Sequence, residues 1–214
     1  MTKLKTTLFG SLALAAVAAL ASGSATLADH HGAPATAKVG EAAPDFTLTC
    51  TDGKAHTLSD YTKDGKIVVL EWFNVGCPFV VKHHERHRTM STLAKDFKDK
   101  DVVWLAVVSS APGTQGHGLE LNREYKKKWE IAYPILIDEP GKVGRAYEAR
   151  TTPHMYIIDK TGTLVYAGAI DNNRSATELG DVNYVRQALK QVVAGETVTE
   201  SMTRPYGCSV KYAD

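Results

Sequence analysis

Two kinds of apolar pattern alternate along the chain and predict an α/β fold. Ile67–Phe73 and Asp101–Val108 are almost continuous apolar runs. Strands of a sheet covered on both faces read this way. Between them, Phe79, Val80, His83, His87, Met90, Leu93, Ala94 and Phe97 recur at spacings of three and four. That period predicts one helix over residues 79–98 with a single inward face. Leu119–Ile131 reads as a second helix, Tyr133–Ile137 as a short strand and Gly141–Tyr147 as a short helix. Met155–Ile158 and Leu164–Ala169 read as strands joined by the turn Asp159-Lys160-Thr161-Gly162, followed by a final helix over Asp181–Val193. Upstream, Phe46–Thr49 and Ala55–Leu58 flank a Thr51-Asp52-Gly53-Lys54 turn and predict a β-hairpin. Ser109–Gly118 is a loop, and no internal repeat is present.

The ends differ from this core. Lys3 and Lys5 precede an Ala-rich apolar run, Leu8–Ala21, and Ala19-Leu20-Ala21 and Thr26-Leu27-Ala28 are small-residue cleavage sites. The run is short for a membrane span, so residues 1–28 read as a secretory signal peptide and the mature chain as periplasmic, without a stable membrane anchor. Residues 29–38 read as a polar linker, 39–194 as one domain and 195–214 as a tail. Without residues 1–28 the balance is 23 basic to 24 acidic side chains, which gives nucleic acid or an anionic surface no hold. Cys50, Cys77 and Cys208 are too few for a disulfide scaffold, and their spacing matches no zinc motif.

Candidate chemistry centres on Cys77. It follows a buried strand and the break Asn74-Val75-Gly76, and Pro78 suits the first turn of a helix. A cysteine at a helix N-terminus meets free amides and partial positive charge, which favour the thiolate nucleophile. A buried structural cysteine is the alternative. His83 and His87 form an i, i+4 pair able to share a metal ion, although a third ligand at helical spacing is lacking. Cys50 reads as a packed structural residue.

The strand, aromatic turn and Cys77-Pro78-Phe79-Val80 resemble the active-site segment of the thioredoxin-like superfamily. Val80 stands where Cys-x-x-Cys proteins have their second cysteine, and Asn74 where peroxiredoxins have threonine. The chain resembles redoxin-domain, peroxiredoxin-like proteins over about residues 39–194. That resemblance implies a thioredoxin-like fold, with a mixed central sheet flanked by helices, an N-terminal hairpin and a C-terminal tail. It implies exported thiol–disulfide or thiol-peroxidase chemistry without metal or organic cofactor, acting on a disulfide or peroxide, with a thiol protein as electron donor.

The same resemblance assigns candidate roles. Thr152-Pro153 matches the place of a cis peptide bond beside the active cysteine. Thr152, Pro153, Pro78 and His154 would then form the substrate wall, with His154 the histidine nearest Cys77. Glu71, six residues before Cys77, resembles the proton acceptor of thioredoxins; a carboxylate paired with a base is the other reading. The Gly207-Cys208-Ser209 ending resembles the tail of peroxiredoxin-like proteins, which makes Cys208 a resolving thiol for Cys77, or else a partner of Cys50 in a structural staple. Outside this class, Cys77 with His154 or His83 could bind copper, a weaker reading because Cu(I) prefers paired sulfurs.

Overall fold

The computed structural model describes residues 36–213; the segment read as a signal peptide lies outside them. Seven strands form one mixed sheet: β1 (Thr47–Cys50), β2 (Ala55–Thr57), β3 (Ile67–Trp72), β4 (Val102–Val108), β5 (Ile135–Ile137), β7 (His154–Ile158) and β8 (Leu164–Gly168), in the spatial order β2-β1-β5-β4-β3-β7-β8. β3, β4 and β5 run parallel, and β7, β8, β1 and β2 extend the sheet by antiparallel pairing. A second, two-stranded sheet pairs β6 (Thr151–Thr152) with β9 (Cys208–Ser209).

The continuous apolar runs have the reason anticipated for them: every residue of β3 is buried. Ile67, Val69 and Phe73 face one core with Trp104, Ala106, Met155 and Ile157. Val68, Leu70 and Trp72 face a second with Leu105, Val107, Tyr156 and Ile158. Each such side chain stabilises the fold by roughly 1.5–3 kcal/mol against exposure. The first core is covered by α2 (Pro78–Val81), α3 (Thr89–Asp96), α4 (Leu119–Lys128) and α6 (Tyr184–Ala194). The second is covered by α1 (Leu58–Lys63) and α5 (Lys142–Ala146).

The helix expected over residues 79–98 is two helices. α2 passes into a π-turn, Lys82–Arg86, closed by the His87 amide donating to the Lys82 carbonyl at 3.1 Å. Arg88 then adopts φ +53° and ends the segment before α3. The wider turn inserts a residue into the helical repeat, so His83 and His87 no longer stack: His83 is buried and His87 exposed. Val80, Met90, Leu93 and Phe97 keep their inward places on either side of the break. Of the second hairpin flank, Ala55–Thr57 form β2 while Leu58 opens α1, and β6 and β9 are additions that no apolar run announced.

Asn183 caps α6, its side chain accepting from the Arg186 amide at 2.8 Å. We expect Asn183→Ala to cost about 1 kcal/mol, read as a lower urea midpoint with an unchanged slope.

Candidate active site

β3 delivers the chain to a turn that is locked from both sides. After Trp72, the Asn74 side chain accepts from the Gly76 amide at 2.9 Å and donates to the Gln115 carbonyl at 3.0 Å. The Cys77 amide donates to the Asn74 carbonyl at 3.0 Å. Loop 109–118 presses so closely on the turn that a Cβ on Gly76 would lie 2.6 Å from Gln115 Cγ. Cys77 caps α2, with Pro78 in its first turn. Its side chain is fully buried, and its thiol donates to the Thr152 carbonyl at 3.0 Å, just before the cis Thr152–Pro153 bond.

The tail forms the other wall. β9 pairs antiparallel with β6, with Thr152 opposite Cys208 and Thr151 opposite Ser209. Gly207 has φ +141°, and a Cβ there would meet the Thr152 carbonyl oxygen at 2.0 Å, so only glycine fits. Beyond β9 the Val210 amide donates to the Arg150 carbonyl at 3.1 Å, and the Ala111 amide donates to the Lys211 carbonyl at 2.7 Å. The Tyr212 hydroxyl donates to the Ala149 carbonyl at 2.8 Å. The result sets half-buried Cys208 beside Cys77: it stands opposite Thr152, whose carbonyl the Cys77 thiol meets, and it packs against the core that holds Cys77. Burial, and then the neighbouring Cys77, pushes the Cys208 thiol up to about 12, so Cys208 holds its proton.

Glu71 is fully buried on the same sheet face as Cys77, but its bonds go elsewhere: Oε1 to His84 Nε2 at 2.6 Å, and Oε2 to Trp104 Nε1 and Tyr133 Oη, each at 3.1 Å. Both carboxylate oxygens are therefore bonded to interior side chains. His154 stands on the opposite sheet face from Cys77. It alternates with Met155 and shares its side with Tyr156, whose ring lies 4.5 Å away and whose hydroxyl meets His154 Nδ1 at 2.9 Å. It lines a cleft of about 440 Å³ with Arg150 and Met202, and the sheet separates it from the Cys77 wall. Among the described residues, no cluster of three or more His, Cys, Asp and Glu side chains is arranged to hold a metal ion. Cys50 is a free, buried member of the second core, while Cys208 packs against the first, so a Cys50–Cys208 staple is absent.

The sequence reading missed a second polar cluster. Lys82, His83 and Asp171 are buried, and all reach the Tyr206 hydroxyl or each other. A lysine inside Phe79–His84 was the available signal, since an apolar helix face rarely admits an ammonium without a partner.

A cysteine at the junction of a parallel strand and a helix, beside a cis proline, in a mixed sheet with helices on both faces, defines a thioredoxin-like protein. The Redoxin family model matches residues 38–187, and the chain belongs to that family. It is 34% identical over 128 residues to a thiol-disulfide oxidoreductase ResA of Geobacillus kaustophilus, covering 59% of this chain and 66% of that one, just short of two thirds of the relative's length. It is 28% identical over 161 residues to a chloroplastic peroxiredoxin Q of Oryza sativa, covering 70% and 67% of the two chains. Among solved structures, an uncharacterized conserved protein of Geobacillus kaustophilus superposes with a TM-score of 0.72 at 30% identity, covering 82% of this chain and 93% of that one. A hypothetical protein of Sinorhizobium meliloti superposes with a TM-score of 0.73 at 25% identity, covering 83% and 96%.

The buried histidines make stability depend on pH. Burial holds His83 and His154 down at about 3, well below the unfolded value of 6.5. As pH falls through 6.5 the unfolded chain takes up these protons first, so stability is full above that pH and declines towards 3. The slope is about 1.4 kcal/mol per pH unit for each proton bound. Urea melts between pH 7 and 4.5 should show this decline, and His154→Gln should flatten it by up to one proton.

Proposed function

We propose that this protein is a thiol oxidoreductase whose working pair is Cys77 and Cys208. The observation that carries the reading is the β6–β9 register, which sets Cys208 opposite Thr152, the residue whose carbonyl accepts from the Cys77 thiol at 3.0 Å. Cys77 is the nucleophile. It stands at the N-terminal cap of α2, with its thiol at the Thr152 carbonyl. Cys208, held protonated, is the resolving thiol.

With a peroxide, the Cys77 thiolate attacks one oxygen, the O–O bond breaks, and water or an alcohol leaves with a proton. Cys77 is then a sulfenic acid. Cys208 attacks that sulfur, the S–S bond forms, the S–O bond breaks and water leaves. With a disulfide, Cys77 forms a mixed disulfide, Cys208 displaces the substrate thiol, and the same Cys77–Cys208 bond results. A thiol donor protein returns two electrons to it.

Complete burial of Cys77 and the occupation of the β6 edge by β9 favour a small oxidant. The similarity to ResA favours a disulfide. In this reading Thr152 and Pro153 form the wall beside Cys77, Pro78 sets the helix start, and Glu71 fixes the strand–helix packing through His84. Export across the inner membrane to the periplasm rests on Lys3, Lys5 and Leu8–Ala21. No helix of the described residues is long and apolar enough to cross a membrane.

Peptide mapping under non-reducing conditions, before and after one equivalent of peroxide, tests the pair. Wild type should yield the Cys77–Cys208 cross-link, Cys77→Ser should yield none, and Cys208→Ser should accumulate a dimedone-reactive Cys77. Wild type that goes to Cys77 sulfinic acid with Cys208 untouched would overturn the assignment. Parallel assays of insulin reduction and peroxide consumption choose between the two oxidants.

Gly207→Ala should lift β9 from β6. In the reduced protein, Cys77 should then react with iodoacetamide at least tenfold faster, while Cys50 stays unreactive.

A further inference from the structure

Two residues before Cys208, Tyr206 is buried with its hydroxyl fully used. It donates to Asp171 Oδ1 and accepts from Lys82 Nζ at 3.1 Å and from His83 Nε2 at 3.0 Å. A phenol has one proton to give and two lone pairs to fill, so this arrangement saturates it. It also fixes the His83 tautomer. The proton sits on Nε2, and Nδ1 is the buried atom left without a partner.

Lys82 is equally saturated. Its ammonium reaches Asp171 at 3.3 Å, the Asn173 carbonyl at 2.8 Å and Tyr206 at 3.1 Å. Asp171 in turn accepts from the Gly180 amide at 3.0 Å and the Asn173 amide at 3.1 Å. Burial lowers Lys82 and raises Tyr206, which keeps the phenol protonated and able to donate.

The geometry ties this cluster to the redox pair. Lys82 and His83 belong to the π-turn that continues the helix opened by Cys77. Tyr206 also sets its ring edge-on to Phe79, in α2, with centroids 5.8 Å apart. Tyr206 and Cys208 flank Gly207, and both pack against the first core. Cys208 is thereby held at Cys77 from the side opposite the Val210–Arg150 and Tyr212–Ala149 contacts.

We propose that Tyr206 is a positioning residue for the Cys77–Cys208 pair, acting through the buried Lys82–His83–Asp171 cluster. This rests on the redox reading above and goes beyond it by naming what sets the effective concentration of one thiol at the other. A fixed resolving thiol closes the disulfide at high effective concentration, and a loosened one closes it less completely. The step is unchanged: S–S forms, S–O or the mixed disulfide's S–S breaks, and water or a thiol leaves.

The test is the equilibrium of the Cys77–Cys208 disulfide with reduced and oxidised glutathione. Tyr206→Phe keeps the ring against Phe79 and removes only the hydroxyl. It should lower the equilibrium constant for disulfide formation about tenfold, close to 30 mV for a two-electron couple. It should also lengthen the dimedone-trappable life of oxidised Cys77 by a similar factor. Tyr61→Phe, which removes a hydroxyl bonded to His56 in the hairpin and away from the tail, should stay within twofold of wild type. If Tyr206→Phe does not fold, Asp171→Asn weakens the same cluster and should shift the constant in the same direction. Equal constants in wild type and the folded variant overturn the positioning role, as does a Tyr61→Phe shift as large as that of Tyr206→Phe. Absence of any Cys77–Cys208 disulfide in wild type would instead overturn the redox reading itself.

Discussion

Everything at the candidate site hangs on a strand with no solvent face. Because β3 is covered on both sides, its residues must be apolar in both directions, and its end must emerge between helix layers. That is why Cys77 begins its helix already buried. Parallel pairing with β4 and antiparallel pairing with β7 fix the strand along its length, so the turn at Asn74–Gly76 has a defined origin. The β7 side then brings Thr152 within hydrogen-bonding distance of the Cys77 sulfur, although 75 residues separate them.

Burial on this scale leaves polar groups that must find partners inside. Glu71 interrupts β3 on the Cys77 face and is matched by an imidazole, an indole and a phenol. Lys82 and Asp171 meet the same demand beneath the tail. An unpaired charge at either place would cost several kcal/mol, so each set behaves as a unit. The His84 ring, stacked 5.4 Å from Trp129, also links the Glu71 set to the π-turn that carries Lys82 and His83. The two polar sets thus brace the first helical segment from both of its sides.

Much of this was legible in the sequence because strong patterns have single causes. The unbroken runs at Ile67–Phe73 and Asp101–Val108 announced doubly covered strands, and Cys77-Pro78 announced a strand-to-helix junction. What was illegible depended on contacts distant in sequence. The three–four spacing over residues 79–98 survives a π-turn, because Val80, Met90 and Leu93 face inward on either side of it, so the break left no trace in the pattern. Which way His154 points is decided by strand parity on β7, and proximity to Pro153 in sequence suggested the opposite face. The groups that bond Glu71 Oε2 come from far along the chain, Trp104 on β4 and Tyr133 in the bend before β5. The pairing of β6 with β9 is too short to produce a periodicity at all.

The central sheet also acts as a partition among the thiols. Cys50 sits in the core on one side, Cys77 in the core on the other, and Cys208 joins Cys77. In an unfolded chain, Cys50 and Cys77 are the closest pair along the sequence and the one that random collision would join first. Once β3 and its neighbours assemble, a wall of backbone stands between them and that cross-link has no route. The hairpin thiol then has no path to Cys77, because topology, rather than chemical inertness, keeps the two apart.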